Sequence, residues 1–177
     1  MTSPINGYIG AFPVTNPVFL GGYVYSRAQV AGVAAANNFL SLTNPAASGR
    51  TIVVSGVFIS SVIVGDIAAT VDPMRGYLAT AVTGTTEAVA TIGKIRSTMP
   101  NPVGEIRLAP AGTLGAAWFN SPPVLGVAKQ ASPFVHSIPS IIPAGALTLL
   151  PGESTVIRTE SGDVDQRWNV SIAWGEF

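Results

Sequence analysis

The sequence predicts an all-β protein: a jelly-roll-like β-sandwich over residues 37–177, preceded by an extended N-terminal arm over residues 1–36. Three observations carry that reading. The first is Thr51 to Val64, TIVVSGVFISSVIV, the longest apolar run in the chain, bracketed by Arg50 and Asp66. Nine of its fourteen residues are Ile, Val or Phe, and β-branched side chains suit a pleated strand and lose χ1 freedom in a helix. The second is a series of short apolar segments separated by turn signals every 8–15 residues, with no convincing helix. That spacing is the pattern of a sandwich. The third is the alternation of Trp168, Val170, Ile172 and Trp174 against Asn169, Ser171 and Ala173 near the end of the chain. It reads as a strand with one face on a core. First and last strands both look like core strands, which suits a jelly roll, where the chain ends lie side by side.

Taken in order, Met1 to Ala36 carries prolines 4, 13 and 17 among Tyr8, Phe12, Phe19, Tyr23 and Tyr25. Each proline removes a donor and disfavours helix before it. The aromatic residues require burial in a groove, and the arm is expected to anchor through them on a neighbouring copy or the shell beneath, the alternative being that it closes over its own core. Gln29 to Ala36 is a candidate short helix. Asn38 to Leu42 reads as a strand closed by the turn-rich segment 44–49. The central run Thr51–Val64 is apolar at both odd and even positions, as a strand covered on both faces would be, with a bend at Gly56. About 20 apolar residues are needed to cross a membrane as a helix, and this run is shorter and stops at a charge. Segments 67–71 and 76–82 flank the turn Asp72-Pro73, and Thr83 to Thr86 reads as a loop. Ile92–Met99 and Val103–Leu108 read as strands split by Pro100-Asn101-Pro102. Thr113–Phe119 is ambiguous. Val124–Val135, broken by Pro133, is at most an edge strand, and 137–144 a crossing loop. Leu147–Leu150, Ser154–Thr159 and Arg167–Trp174 complete the domain, with turns at Pro151-Gly152 and Ser161-Gly162-Asp163.

Composition narrows the function. Charged residues are 10% of the chain and apolar ones 47%, against roughly 25% charged in an average soluble domain. Much of the surface is therefore expected to face protein, which implies a homo-oligomer. Net charge is zero, with no basic cluster, so nucleic-acid binding has no electrostatic footprint. With no cysteine there is no disulfide, thiolate nucleophile or cysteine-ligated metal. The first cation is Arg27, so the basic opening of a signal peptide is lacking.

Chemistry-bearing constellations are not apparent, and no cofactor or metal is expected. His136 has no nucleophile or orienting partner nearby in sequence. Glu160, Asp163 and Asp165 offer oxygens that suit a hard cation, but Ser161-Gly162-Asp163 is ordinary turn chemistry. Glu105 with Arg107, and Arg158 with Glu160, are same-face ion pairs of small value. Asn169-Val170-Ser171 matches a glycosylation sequon inside a strand. Trp118 and Phe119, beside Pro122-Pro123, would make a sugar-stacking platform, the basis of an alternative reading as a glycan-binding sandwich. As a core plug or subunit contact they are ordinary.

Two stretches carry a family resemblance. Asn38-Phe39-Leu40-Ser41-Leu42-Thr43-Asn44-Pro45, then Ser48-Gly49-Arg50 and the strand that follows, resembles the first hairpin of small tailed-phage virion proteins. Leu149-Leu150-Pro151-Gly152-Glu153-Ser154 and Trp168 to Glu176 resemble their final hairpin. Phage head decoration (cement) proteins and some fibre tips are built this way. The resemblance implies a structural virion protein rather than an enzyme. It further implies a jelly-roll-like homotrimer made in the bacterial host cytoplasm and bound through the major capsid protein to the capsid surface. The alternative within the family is a fibre or spike tip that binds a host glycan.

Overall fold

The computed structural model describes residues 21–31, 37–63, 74–120, 134–137, 147–159 and 167–177. Ten strands occupy most of them: β1 (Gly21–Ala31), β2 (Asn37–Thr43), β3 (Ile52–Ile63), β4 (Met74–Thr86), β5 (Gly93–Lys94), β6 (Glu105–Asn120), β7 (Phe134–Ser137), β8 (Thr148–Leu149), β9 (Ser154–Thr159) and β10 (Arg167–Glu176). A single 3-10 turn, Val89–Thr91, is the one helical element among the described residues. All pairings are antiparallel. They form two sheets, one ordered β5-β1-β10-β3-β7 with β8 also on β3, the other a closed ring β2-β6-β4-β9. The predicted all-β sandwich is what the chain forms.

The core lies between the sheets. β10 is central in the first sheet, and its alternation holds: Val170, Ile172 and Trp174 are buried, while Asn169, Ser171 and Ala173 are half-buried. Pairing places Tyr23, Trp174 and Val54 in one inward row and Tyr25, Ile172 and Val57 in the next. Tyr23 and Trp174 meet with ring centroids 5.7 Å apart, a separation typical of favourable aromatic pairs. Facing them, β2, β6 and β9 supply Phe39, Leu40, Leu42, Ile106 and Ile157.

β3 departs from the expected pattern in an instructive way. Trp174 pairs with Val54 but Ala173 with Gly56, so Ser55 is an extra residue, a β-bulge. The bulge shifts the phase of alternation by one. Ile52, Val54 and Val57 therefore all point inward, and Phe58 is left exposed. The run that read as apolar on both faces is, as far as Phe58, one buried face whose period is broken. The strand covered on both sides is β2, where Phe39 to Asn44 are all buried, because the second sheet closes on itself and also packs on the first.

The arm expectation is corrected over its second half. Gly21–Ala31 is β1, paired along β10, and Tyr23 and Tyr25 are core residues of their own chain. Two buried tyrosines cannot serve as anchors on a neighbour, so the sandwich begins by Gly21. Tyr8, Phe12 and Phe19 lie outside the described residues, as do residues 32–36 of the candidate helix; Gln29 to Ala31 are strand. Expected breaks also differ. Thr83–Thr86 continues β4, and β6 runs from Glu105 through Ala109-Pro110 and the ambiguous 113–119 as one strand. Ile92–Met99 contains only the two-residue β5.

Candidate functional site

The two stretches that carried the resemblance, the second through both of its parts, meet at one end of the sandwich. Asn44 follows the last residue of β2, and its side-chain amide donates to the carbonyl of Arg50 at 2.8 Å and to that of Leu149 at 2.9 Å. The Asn44 backbone pairs with the turn after β8, donating to Glu153 O at 2.9 Å and accepting from Gly152 N at 2.8 Å. That turn is the predicted one. Glu153 N donates to Leu150 O, and Gly152 sits at φ 90°, the position of a proline-led turn that only glycine fills without strain.

Arg50 leads to the other part of the second stretch. Its Nη1 donates to Glu176 Oε2 at 2.8 Å. Glu176, the last residue of β10, is fully buried, an expensive place for a carboxylate unless its lone pairs are met. They are met by Trp174 Nε1 at 3.2 Å, by Val103 N at 3.0 and 3.2 Å and by Gly104 N at 2.9 Å. The carboxylate thus fixes the segment that runs from β5 to β6 across the end of the first sheet. The same segment is held by Tyr23, whose hydroxyl donates to Pro100 O at 3.1 Å, and by Lys94 Nζ, which donates to Asn101 Oδ1 at 2.8 Å. Burial, then the nearby Glu176 charge, push the Tyr23 hydroxyl above the usual 10.0, with Arg50 opposing. Burial and then Glu87 raise Tyr25, with Arg27 opposing. A carboxylate saturated by five donor contacts and closed to water has no lone pair for a substrate proton. Its work is structural.

The surface feature that stands out is the antiparallel ribbon of β4 and β6. Residues 76–86 and 108–118 are twenty-two positions without one Asp, Glu, Lys or Arg, where an average surface would carry about five charges. Leu78, Thr80, Thr113, Gly115 and Ala116 are exposed on it and line a shallow depression of about 290 Å³ beside Glu153 and Ser154. The polar groups at its rim are already engaged: Glu153 Oε2 accepts from Leu150 N at 2.7 Å and Ser154 Oγ donates to Thr43 Oγ1 at 3.0 Å. The outward face of the first sheet continues the theme with Val24, Ser26, Ser55, Phe58, Ser171 and Ala173.

The residues singled out by sequence are not brought together. Trp118 is half-buried at the base of the ribbon. Its Nε1 donates to Thr155 Oγ1 at 2.8 Å, and that hydroxyl donates to Tyr77 O at 3.0 Å, tying β6, β9 and β4 into the ring. One part of the indole lies on Gly76, where any Cβ would come within 2.6 Å of Trp118 Cε2. Its anchoring is that of a core plug. The side chains of Phe119 and His136 lie outside the described residues, as do Glu160, Asp163 and Asp165. Among the described residues no three His, Asp or Glu side chains group as metal ligands, and no helix is long and apolar enough to cross a membrane. Glu105 and Arg107 form the expected same-face ion pair, both side chains half-buried.

Glu176 and the ribbon are what sequence reasoning missed. The ribbon was detectable, since its two uncharged stretches stand out once charges are counted along the chain. Glu176 was not, because nothing local distinguishes a buried acid from a surface one. Comparison with protein-family models, with curated proteins and with solved structures finds no match to this chain.

Proposed function

We propose that the chain is a structural virion protein, a decoration or cement protein that binds the outside of a phage head and stabilises contacts between subunits of the major capsid protein. It acts as a homo-oligomer, a trimer on the resemblance of its two hairpin phrases, and its jelly-roll-like winding is part of the same reading. The observation that carries the proposal is the absence of charge from the ribbon and from the outward residues of the first sheet. A 22-residue ribbon and the outer face of the first sheet offer neutral, small and hydroxyl side chains, suited to lying against protein. The charged groups placed at the hairpin end, Arg50 and Glu176, are spent on holding backbone in place. Rigid, neutral and broad is the character of a coat component.

The test is addition of the purified full chain to phage heads that lack it, followed by co-sedimentation and a thermal or osmotic challenge. Saturable binding with a raised disruption temperature is expected. No binding to heads, together with saturable binding on a glycan array, would replace this reading with the host-glycan one.

A further inference from the structure

We infer that copies of this chain associate head-to-tail through the β4–β6 ribbon, the free edge of β6 in one copy pairing with the free edge of β4 in the next. This deepens the homo-oligomer part of the reading above and does not depend on capsid binding.

The argument begins with the stagger of the second sheet. β2 pairs with β6 only from Glu105 to Leu108. β9 pairs with β4 only from Met74 to Ala79. Beyond those points β4 and β6 pair with each other alone among the described residues. Among the described residues, 111–117 thus present one open edge of backbone donors and acceptors, the Pro110 carbonyl before it being held by Asn38 Nδ2 at 2.8 Å, and residues 80–86 present another on the opposite side of the ribbon. Natural sheets blunt such edges with lysine, inward charge or proline. Here the buried Pro110 and the bulges beside Ala81 and Ala109 are the devices present, and neither edge carries a charge. Thr80, Thr85, Thr113 and Ala116 are exposed, so none of the described residues covers them.

Charge and edge count choose the occupant. A partner recognised by charge has nothing to grip on a ribbon without a charged residue, whereas a second neutral ribbon meets it without opposed like charges. The ribbon also carries two different edges. Self-to-self pairing about a two-fold would satisfy one and leave the other open. A head-to-tail contact satisfies both at once, and such contacts form a ring when the rotation between copies closes and a filament when it does not. Facing threonines add cross-strand hydrogen bonds of the kind that favour strand pairs.

The experiment uses the full chain and two edge-blocked variants. One carries Thr113→Lys with Ala116→Lys on the β6 edge, the other Thr83→Lys with Thr85→Lys on the β4 edge. All four sites are exposed, and lysine is the natural edge blocker. The wild-type chain should be a closed oligomer by mass photometry at micromolar concentration, and each variant a monomer, its dissociation constant raised about tenfold or more by an unpaired charge at the contact. Mixed one to one, the two variants should form a 1:1 pair and nothing larger, since each retains the edge the other lacks. A monomeric wild type, a β4-edge variant that still assembles alone, or a mixture that stays monomeric would each overturn the inference. Should a variant fail to fold, amide exchange on the wild type decides. Protection of residues 111–117 that is lost on dilution supports the contact, and fast exchange at every concentration overturns it.

Discussion

At the scale of single residues, Glu176 does the most. Its carboxylate is the one place where β10, the Arg50 loop and the segment before β6 meet. Glu176→Ala strands two backbone N–H groups and a guanidinium, and breaking such a site by removing one partner costs about 3–5 kcal/mol. Chemical denaturation should show a loss of that size, and Glu176→Gln a smaller one, because its amide oxygen still accepts. Tyr23 and Tyr25 make a second prediction. Both hydroxyls titrate above the usual 10.0 in the folded chain. The native state therefore keeps protons that the unfolded state has lost, and stability falls as pH rises. Their contribution is complete below pH 10.0 and disappears through the raised folded values. Ultraviolet titration should show tyrosines that ionise late and only as the near-ultraviolet dichroism collapses.

At the scale of elements, the β4–β6 ribbon is held by irregularity as much as by regularity. Thr80 pairs with Thr113 and Thr83 with Ala111, leaving one extra residue on β4. Thr83 to Ala111 and Thr85 to Leu108 leave one extra on β6. At these bulges Ala81 and Ala109 adopt φ 52° and 45°, a left-handed conformation that costs a residue with a Cβ roughly 1 kcal/mol or more. Ala109→Gly relieves that strain and loosens the unfolded chain by a smaller amount, about 0.4–1 kcal/mol. The net expectation is a stabilisation of up to about 1 kcal/mol, read as a small rise in melting temperature. A fall would show that the strain is not real. The gain at Gly76 has the opposite sign. Gly76→Ala drives a methyl into Trp118 and should cost about 1–3 kcal/mol as overpacking.

At the scale of the whole molecule, β1 changes what the N-terminal region means. Removing residues 1–30 would take away the partner of β10 together with Tyr23 and Tyr25. That truncation should not fold. Removing residues 1–20 spares the described sandwich, and circular dichroism should show a folded chain. On the proposed function this shorter truncation loses head binding, because Tyr8, Phe12 and Phe19 go with it. Undiminished binding would mean that the first twenty residues carry no part of the attachment.

The sequence by itself determined the all-β class, several strand positions and the Pro151-Gly152 turn. Alternation in β10, β-branched density in β3 and Pro151-Gly152 are local signals, since side-chain period and turn chemistry depend on neighbours in the chain. Ser154–Thr159 matches its expected bounds residue for residue. The tertiary structure alone decided the rest. Whether β3 was covered on two faces or bulged at Ser55 depended on the register against β10, which lies over a hundred residues away. Whether Tyr23 served a neighbour or its own core depended on β10 having an open side. Glu176 became a buried clasp only because Arg50, 126 positions earlier, and the amides of Val103 and Gly104 converge on it. Burial, pairing and edge exposure are sums over contacts distant in sequence, and no local pattern encodes which strand a strand will meet.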